Sequence, residues 1–236
     1  MKKMTALLLS AALLCPTLAL AEDTVKIGIF EPMTGATAAG GSMEKEGFDL
    51  ANELYPDVLG QKIELVYGDN KSDRAEATLA AQSLVDKGVV AVLGSYGSGL
   101  SMAGGEVFAE SEIPALTATA TNPTVTLDCE WYARICFIDP FQGTMLARYA
   151  VKNDYKKIAI MREKDSEYAV GLVKYFQDEI ATHDGFEVVE LCDFMNKDED
   201  FSALLGAVLA ALLKKHTPEL ALLLAVAVCG AAALAA

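Results

Sequence analysis

The stretch "VVAVLGSYGSGLSMAGG", residues 89–105, decides the fold. The aliphatic run from Val89 to Leu93 has the length of a buried strand, and apolar residues at helical spacing follow from Leu100 to Ala109. Between them lie glycines and serines with almost no charge. Strand, small-residue turn and helix together form one unit of a parallel sheet. Working outward, the same alternation recurs. Further strands are expected at Val25–Phe30, Ile63–Tyr67, Ile113–Leu116, Arg134–Phe137, Lys157–Met161 and Glu187–Leu191. Helices are expected at Met43–Leu54, Arg74–Lys87, Phe141–Lys152, Glu167–His183 and Phe201–Lys215. The fold class is therefore α/β, with parallel sheets flanked by helices.

Local signals fix several of these ends. Asp73, with Glu76 three residues on, suits a capping box, and Ser42 precedes the first helix as a natural N-cap. Gly88 and Gly185 mark helix stops. In "FIDPFQG", Pro140 holds Asp139 in extended geometry and interrupts the rhythm, so a boundary between two lobes is placed there. The expected division is a leader over 1–21, a first lobe over 22–139, a second over 140–218 and an apolar tail over 219–236. Leu220 to Val228, at the start of that tail, has the character of another buried strand.

The leader follows from Lys2 and Lys3 ahead of an apolar run, closed by Ala19-Leu20-Ala21 in the small-x-small form of a cleavage site. Export to a periplasmic or extracellular space is expected. Leu14 before Cys15 is too large for lipoprotein processing. Losing Lys2 and Lys3 takes the formal charge from -14 to -16, so nucleic acid and anionic membranes are repelled. No CxxC pair is present, and an oxidising compartment leaves open either a Cys129–Cys136 disulfide or two thiols.

In an open parallel sheet, ligands bind outside the carboxyl ends of the strands. Three loops there are rich in small and hydroxyl residues: "EPMTGATAAGGS", "GSYGSGLS" and "TATATNP". A helix beginning near Leu100 directs free N–H groups and its positive dipole end toward Ser98, a place for a carboxylate. Enzyme patterns fail at the same residues. Gly41 stands where a phosphate loop needs lysine, and Leu93 and Tyr96 stand where a GxSxG nucleophile needs its first glycine. His183 and His216 fall at helix ends as solvated residues, and the carboxylates of "NKDED" match no EF-hand loop. No cofactor or metal is indicated.

In order and spacing, "VKIGIFEPMTG", "GQKIELVYGDNKSD", "VVAVLGSYGSGLS", "IPALTATATNPTVT", "RICFIDPFQG", "KKIAIMREKDSEYAVGL" and "DEDFSALL" resemble the substrate-binding proteins of branched-chain amino acid ABC transporters. The resemblance implies a type I periplasmic-binding fold whose two lobes close on a small amino acid for delivery to a membrane permease, as a non-enzymatic monomer. It implies that Ser98 and Thr121 hydrogen-bond the ligand carboxylate and that the Thr119 carbonyl meets its ammonium. Tyr96 lines the side-chain pocket and Tyr168 closes over it. Gly40 falls where some relatives carry a pocket tyrosine, so a wider pocket is expected. After Leu205 the resemblance fades, and relatives continue for more than a hundred residues that include an acidic partner for the ammonium. A truncated or altered second lobe is expected, with a membrane-anchored sensory or interaction ectodomain as the alternative reading of the apolar tail.

Overall fold

A computed structural model describes residues 24–127, 129–213 and 221–226. The chain opens with β1 (Val25–Glu31) and α1 (Ala38–Leu54), then a short antiparallel pair, β2 (Asp57–Val58) and β3 (Gln61–Asp69). There follow α2 (Arg74–Asp86), β4 (Ala91–Gly94), α3 (Ser98–Glu110), β5 (Ala115–Thr117), α4 (Thr124–Leu127) and β6 (Tyr132–Arg134). These strands form one sheet in the order β2-β3-β1-β4-β5-β6, parallel except for β2. A second set comprises α5 (Asp139–Lys152), β7 (Lys157–Glu163), α6 (Glu167–Ile180), β8 (Glu187–Phe194), α7 (Ser202–Leu213) and β9 (Ala221–Val226). Its sheet is parallel throughout, in the order β8-β7-β9. Residues 221–226 of the apolar tail are thus a strand paired with β7. The leader, Cys15, His216, Cys229 and residues 227–236 lie outside the described residues.

Each sheet has its own core. In the first, the rings of Phe30 and Phe108 meet edge to face at 5.4 Å between centroids. Phe30 reaches α3 because Gly104 is bare there: a Cβ on Gly104 would come within 2.5 Å of its ring. Tyr132 stands against Gly105 in the same way, and its hydroxyl donates to the carbonyl of Gly94. The small residues of "SMAGG" are therefore a packing surface as well as a turn. In the second sheet β7 is buried on both faces. Ile158 and Ile160 join Ala147, Val173 and Phe176 beneath α5 and α6, while Ala159 and Met161 face Cys192, Phe194 and Val208. This alternation follows from the two-residue period of a strand, and burial on both faces explains why its sequence is almost continuously apolar.

The ends differ from expectation at several places. The first helix starts at Ala38, not Met43, with Thr37 at its cap and Ser42 inside it. Its glycines are tolerated because Gly41 packs directly on the Pro32 carbonyl and Gly40 on the Tyr96 ring, close contacts that offset their low helix propensity. Asp73 does cap its helix, accepting from the N–H groups of Ala75 (2.8 Å) and Glu76 (3.1 Å), but Glu76 pairs with Lys71 instead of completing the box. Gly88 directly follows the Lys87 cap with positive φ, as a stop glycine does, whereas the later helix ends at Ile180 with Ala181 at its cap, so Gly185, also at positive φ, lies in the turn before β8 and not at the helix stop. The expected Arg134–Phe137 strand is displaced to Tyr132–Arg134, where the Arg134 guanidinium donates to the carbonyls of Ala120, Asn122 and Pro123. Cys129, Cys136 and Cys192 are free thiols.

At the tip of β1 lies an arrangement with no sequence signature. Glu31 is fully buried and accepts from the Tyr96 N–H at 2.7 Å, and the Thr119 hydroxyl donates to Glu44. The two carboxyl groups lie close to each other, and Glu31 Oε1 and Glu44 Oε2 are buried without a hydrogen-bond partner. Burial first, and then Glu44, push Glu31 up to about 9. Gly94 sits beside this pair at φ +113°, where a Cβ would come within 2.5 Å of Glu31 Oε1.

Two outcomes are expected from these features. Asp73→Ala removes two accepted bonds at the start of α2 and should cost about 1 kcal/mol in denaturant unfolding. Because the folded state holds a proton on Glu31 to about pH 9 against 4.5 when unfolded, its contribution is complete below pH 4.5 and is lost as pH rises to about 9. Melting temperatures recorded from pH 5 to 9 should therefore fall less steeply in Glu31→Gln than in the unaltered protein. Equal slopes would contradict the assignment.

Candidate functional site

A cavity of about 430 Å³ lies at the carboxyl ends of the strands, between the loops of the first sheet and the β7–α6 loop of the second. Tyr96, Ser98, Thr119, Thr121 and Tyr168 all line it. Four reach it from loops after β4 and β5, and Tyr168 reaches it from the first turn of α6. The parallel sheet accounts for this: each strand delivers its following loop to the same edge.

Ser98 is the first residue of α3, two residues earlier than expected, with Gly97 at the cap. Its side chain is buried, and its Oγ accepts from the Asn122 N–H at 3.1 Å. The hydroxyl proton takes no acceptor among the described residues. Together with the first free N–H groups of α3 it forms a donor cluster suited to an anion. Thr121 is buried, and its Oγ1 faces the Asp139 carboxyl without reaching hydrogen-bond geometry. An orphaned hydroxyl at a cavity wall is costly unless a ligand satisfies it. Thr119 differs: Glu44 already engages its hydroxyl, so only its backbone is left for a ligand.

Tyr96 corrects one expectation. A Cβ on Gly40 would lie 2.6 Å from the Tyr96 ring, so that ring fills the space next to Gly40 and the pocket is not widened there. On the opposite wall the Tyr168 hydroxyl accepts from Gln142 Nε2 at 2.7 Å, which fixes the ring's direction. Leu100, Phe137 and Cys136 complete an apolar lining.

Two contacts tie the sets of elements together beside the cavity. Arg74 at the start of α2 pairs with Glu167 at the start of α6, and Asn122 Nδ2 donates to the Glu167 carbonyl at 2.9 Å. The Glu167 carboxylate lies so close to Gly99 that no side chain fits at that position. Nearby, Glu163 ends β7 inside the cavity wall, only 7% exposed. Burial, and secondarily Asp165, push its carboxyl up to about 7.

Sequence reasoning missed Glu163, Arg74, Glu167 and Gln142. Glu163 could have been found, since a carboxylate ending an apolar strand of a parallel sheet is delivered to the ligand edge. Arg74 and Gln142 carry no local signal, because only the approach of the two sheets brings their helices to one cavity. Among the described residues, no cluster of His, Cys, Asp and Glu could hold a metal, and no helix is long and apolar enough to cross a membrane.

Comparison with known proteins agrees with this architecture. A Leu/Ile/Val-binding protein, BraC3 of Rhizobium johnstonii, is 32% identical over 210 residues, covering 86% of this chain and 56% of that one. A solved leucine-binding protein, LivK of Thermotoga maritima, superposes with a TM-score of 0.75 at 36% identity, over 80% of this chain and 54% of its own. The branched-chain amino acid transporter substrate-binding protein LivJ of Streptococcus pneumoniae, solved with isoleucine, gives 0.72 at 31% identity, over 78% and 53%. The chain spans about half the length of these relatives. The profile of the periplasmic binding protein family matches residues 24–230. With two sheets meeting at a cleft lined from their strand tips, this chain belongs to the periplasmic binding protein family.

Proposed function

We propose that this chain captures a small aliphatic amino acid, branched-chain in character, between lobes divided near Asp139, and hands it to an ABC permease outside the cytoplasm. One observation carries the reading: the buried Thr121 hydroxyl is unpaired at the wall of the cleft that Ser98 and the α3 N-terminus also line. These groups offer hydrogen-bond donors, without a formal charge, to an α-carboxylate. Tyr96, Tyr168, Leu100 and Phe137 offer apolar surface to a hydrocarbon side chain. The relatives named for leucine, isoleucine and valine support the ligand class. Lobe closure about the α5 start would signal occupancy to the permease, and the net charge of -14 argues against nucleic acid as a partner. The proposed species is a monomer, without a cofactor.

Calorimetry with a panel of amino acids tests this. Leucine, isoleucine or valine should bind more tightly than about 1 mM, about -4 kcal/mol. Binding no tighter than that across the panel would overturn the reading. Thr121→Val removes a hydroxyl that has no partner in the free protein, so the melting temperature should hold. Affinity should fall by about tenfold or more, the worth of a hydrogen bond to a charged group. An unchanged affinity would remove Thr121 from the site.

A further inference from the structure

Thr121 has a neighbour behind the cleft wall. Asp139, the first residue of α5, is fully buried, and neither oxygen of its carboxyl has a hydrogen-bond partner among the described residues. The backbone fixes its place: the Asp139 N–H donates to the Thr121 carbonyl at 3.0 Å, and a Cβ on Gly171 of α6 would come within 3.1 Å of Asp139 Oδ2. The Thr121 hydroxyl, itself unpaired, therefore has the cleft on one side and an unpaired carboxyl on the other. The charged and titratable groups that face Asp139 are Arg134 on β6, Cys136 in the loop after it and Tyr168 on α6. Arg134 is committed to the carbonyls of Ala120, Asn122 and Pro123 and to the Thr126 hydroxyl, and the Tyr168 hydroxyl is held by Gln142. Burial raises the proton affinity of Asp139, with Thr121 and Arg134 acting the other way.

Resting on the amino acid reading above, we propose that Asp139 is a positioning residue that sets the direction of the Thr121 hydroxyl, so that ligand binding takes up a proton from solvent at Asp139. A hydroxyl has one proton to donate. Ionised Asp139 draws that proton toward itself and turns the Thr121 lone pairs to the cleft, where they oppose a ligand carboxylate. Protonated Asp139 instead donates to Thr121 Oγ1, and the Thr121 proton is free to point at the ligand. A bound carboxylate thus favours the protonated acid, through the hydroxyl and by direct repulsion of the ionised form. By linkage, affinity is highest at low pH and falls as pH rises past the point where Asp139 ionises in the free protein.

Calorimetry with leucine, in two buffers of different ionisation enthalpy, tests this on the unaltered protein, Asp139→Asn and Glu163→Gln. The unaltered protein should take up a proton on binding, and between about pH 5 and 7.5 its affinity should fall, by at most about tenfold per pH unit. Asp139→Asn, whose carboxamide donates to Thr121 Oγ1 at every pH, should lose most of that slope and keep the affinity that the unaltered protein has at the acid end within about threefold. Glu163→Gln, which removes a buried acid of the cavity wall, should keep the slope. Binding without proton uptake, or a slope unchanged in Asp139→Asn, would overturn the proposal and leave the amino acid function intact. A slope that disappears in Glu163→Gln would also overturn it, a result that stands even if Asp139→Asn fails to fold. If the unaltered protein binds no amino acid at any pH, the proposed function itself fails and this inference falls with it.

Discussion

The site depends on how closely α3 sits against the first sheet. Phe30 from β1 and Tyr132 from β6 press their rings onto the bare faces of Gly104 and Gly105, so the helix lies nearer the strands than any larger residue would permit. That seating aims the α3 N-terminus, and Ser98 with it, into the cleft. A helix displaced by even one methyl group would carry Ser98 Oγ away from the Asn122 N–H that donates to it. Core packing and ligand recognition are here one constraint, since interiors as dense as crystals transmit small displacements.

Electrostatics supplies a second layer. The chain is acidic overall, and the carboxyl groups of Glu31, Asp139 and Glu163 are buried near the cleft without a salt bridge among the described residues. Glu31 and Glu44 hold the Tyr96 N–H and the Thr119 hydroxyl in place, and burial, with Glu44 beside it, raises the proton affinity of Glu31. Arg74, the cation that lines the cavity, is committed to Glu167 across it.

Much of this was legible in the linear chain. The Val89–Leu93 run, the Gly-Ser turn and the helix after it announce a parallel α/β unit, and the spacing of the other strands extends it. The loops bearing Tyr96, Ser98, Thr119 and Thr121 could be placed at one edge because parallel strands send every following loop there. Helix ends were less legible: the α1 start moved because Gly40 and Gly41 are used for contact with Tyr96 and Pro32, and no local rule shows what a glycine will touch.

The sequence by itself determined the period of each element, the caps at Asp73 and Gly88, and the small polar character of the ligand-edge loops, because these are short-range properties of neighbouring residues. Only the tertiary structure decided that Tyr96 fills the space next to Gly40, that Glu31 and Glu44 lie close to each other, and that Glu163 lines Ser98's cleft. Each of those depends on the separation of groups from different elements, and the distance between two side chains is set by packing, not by their order along the chain.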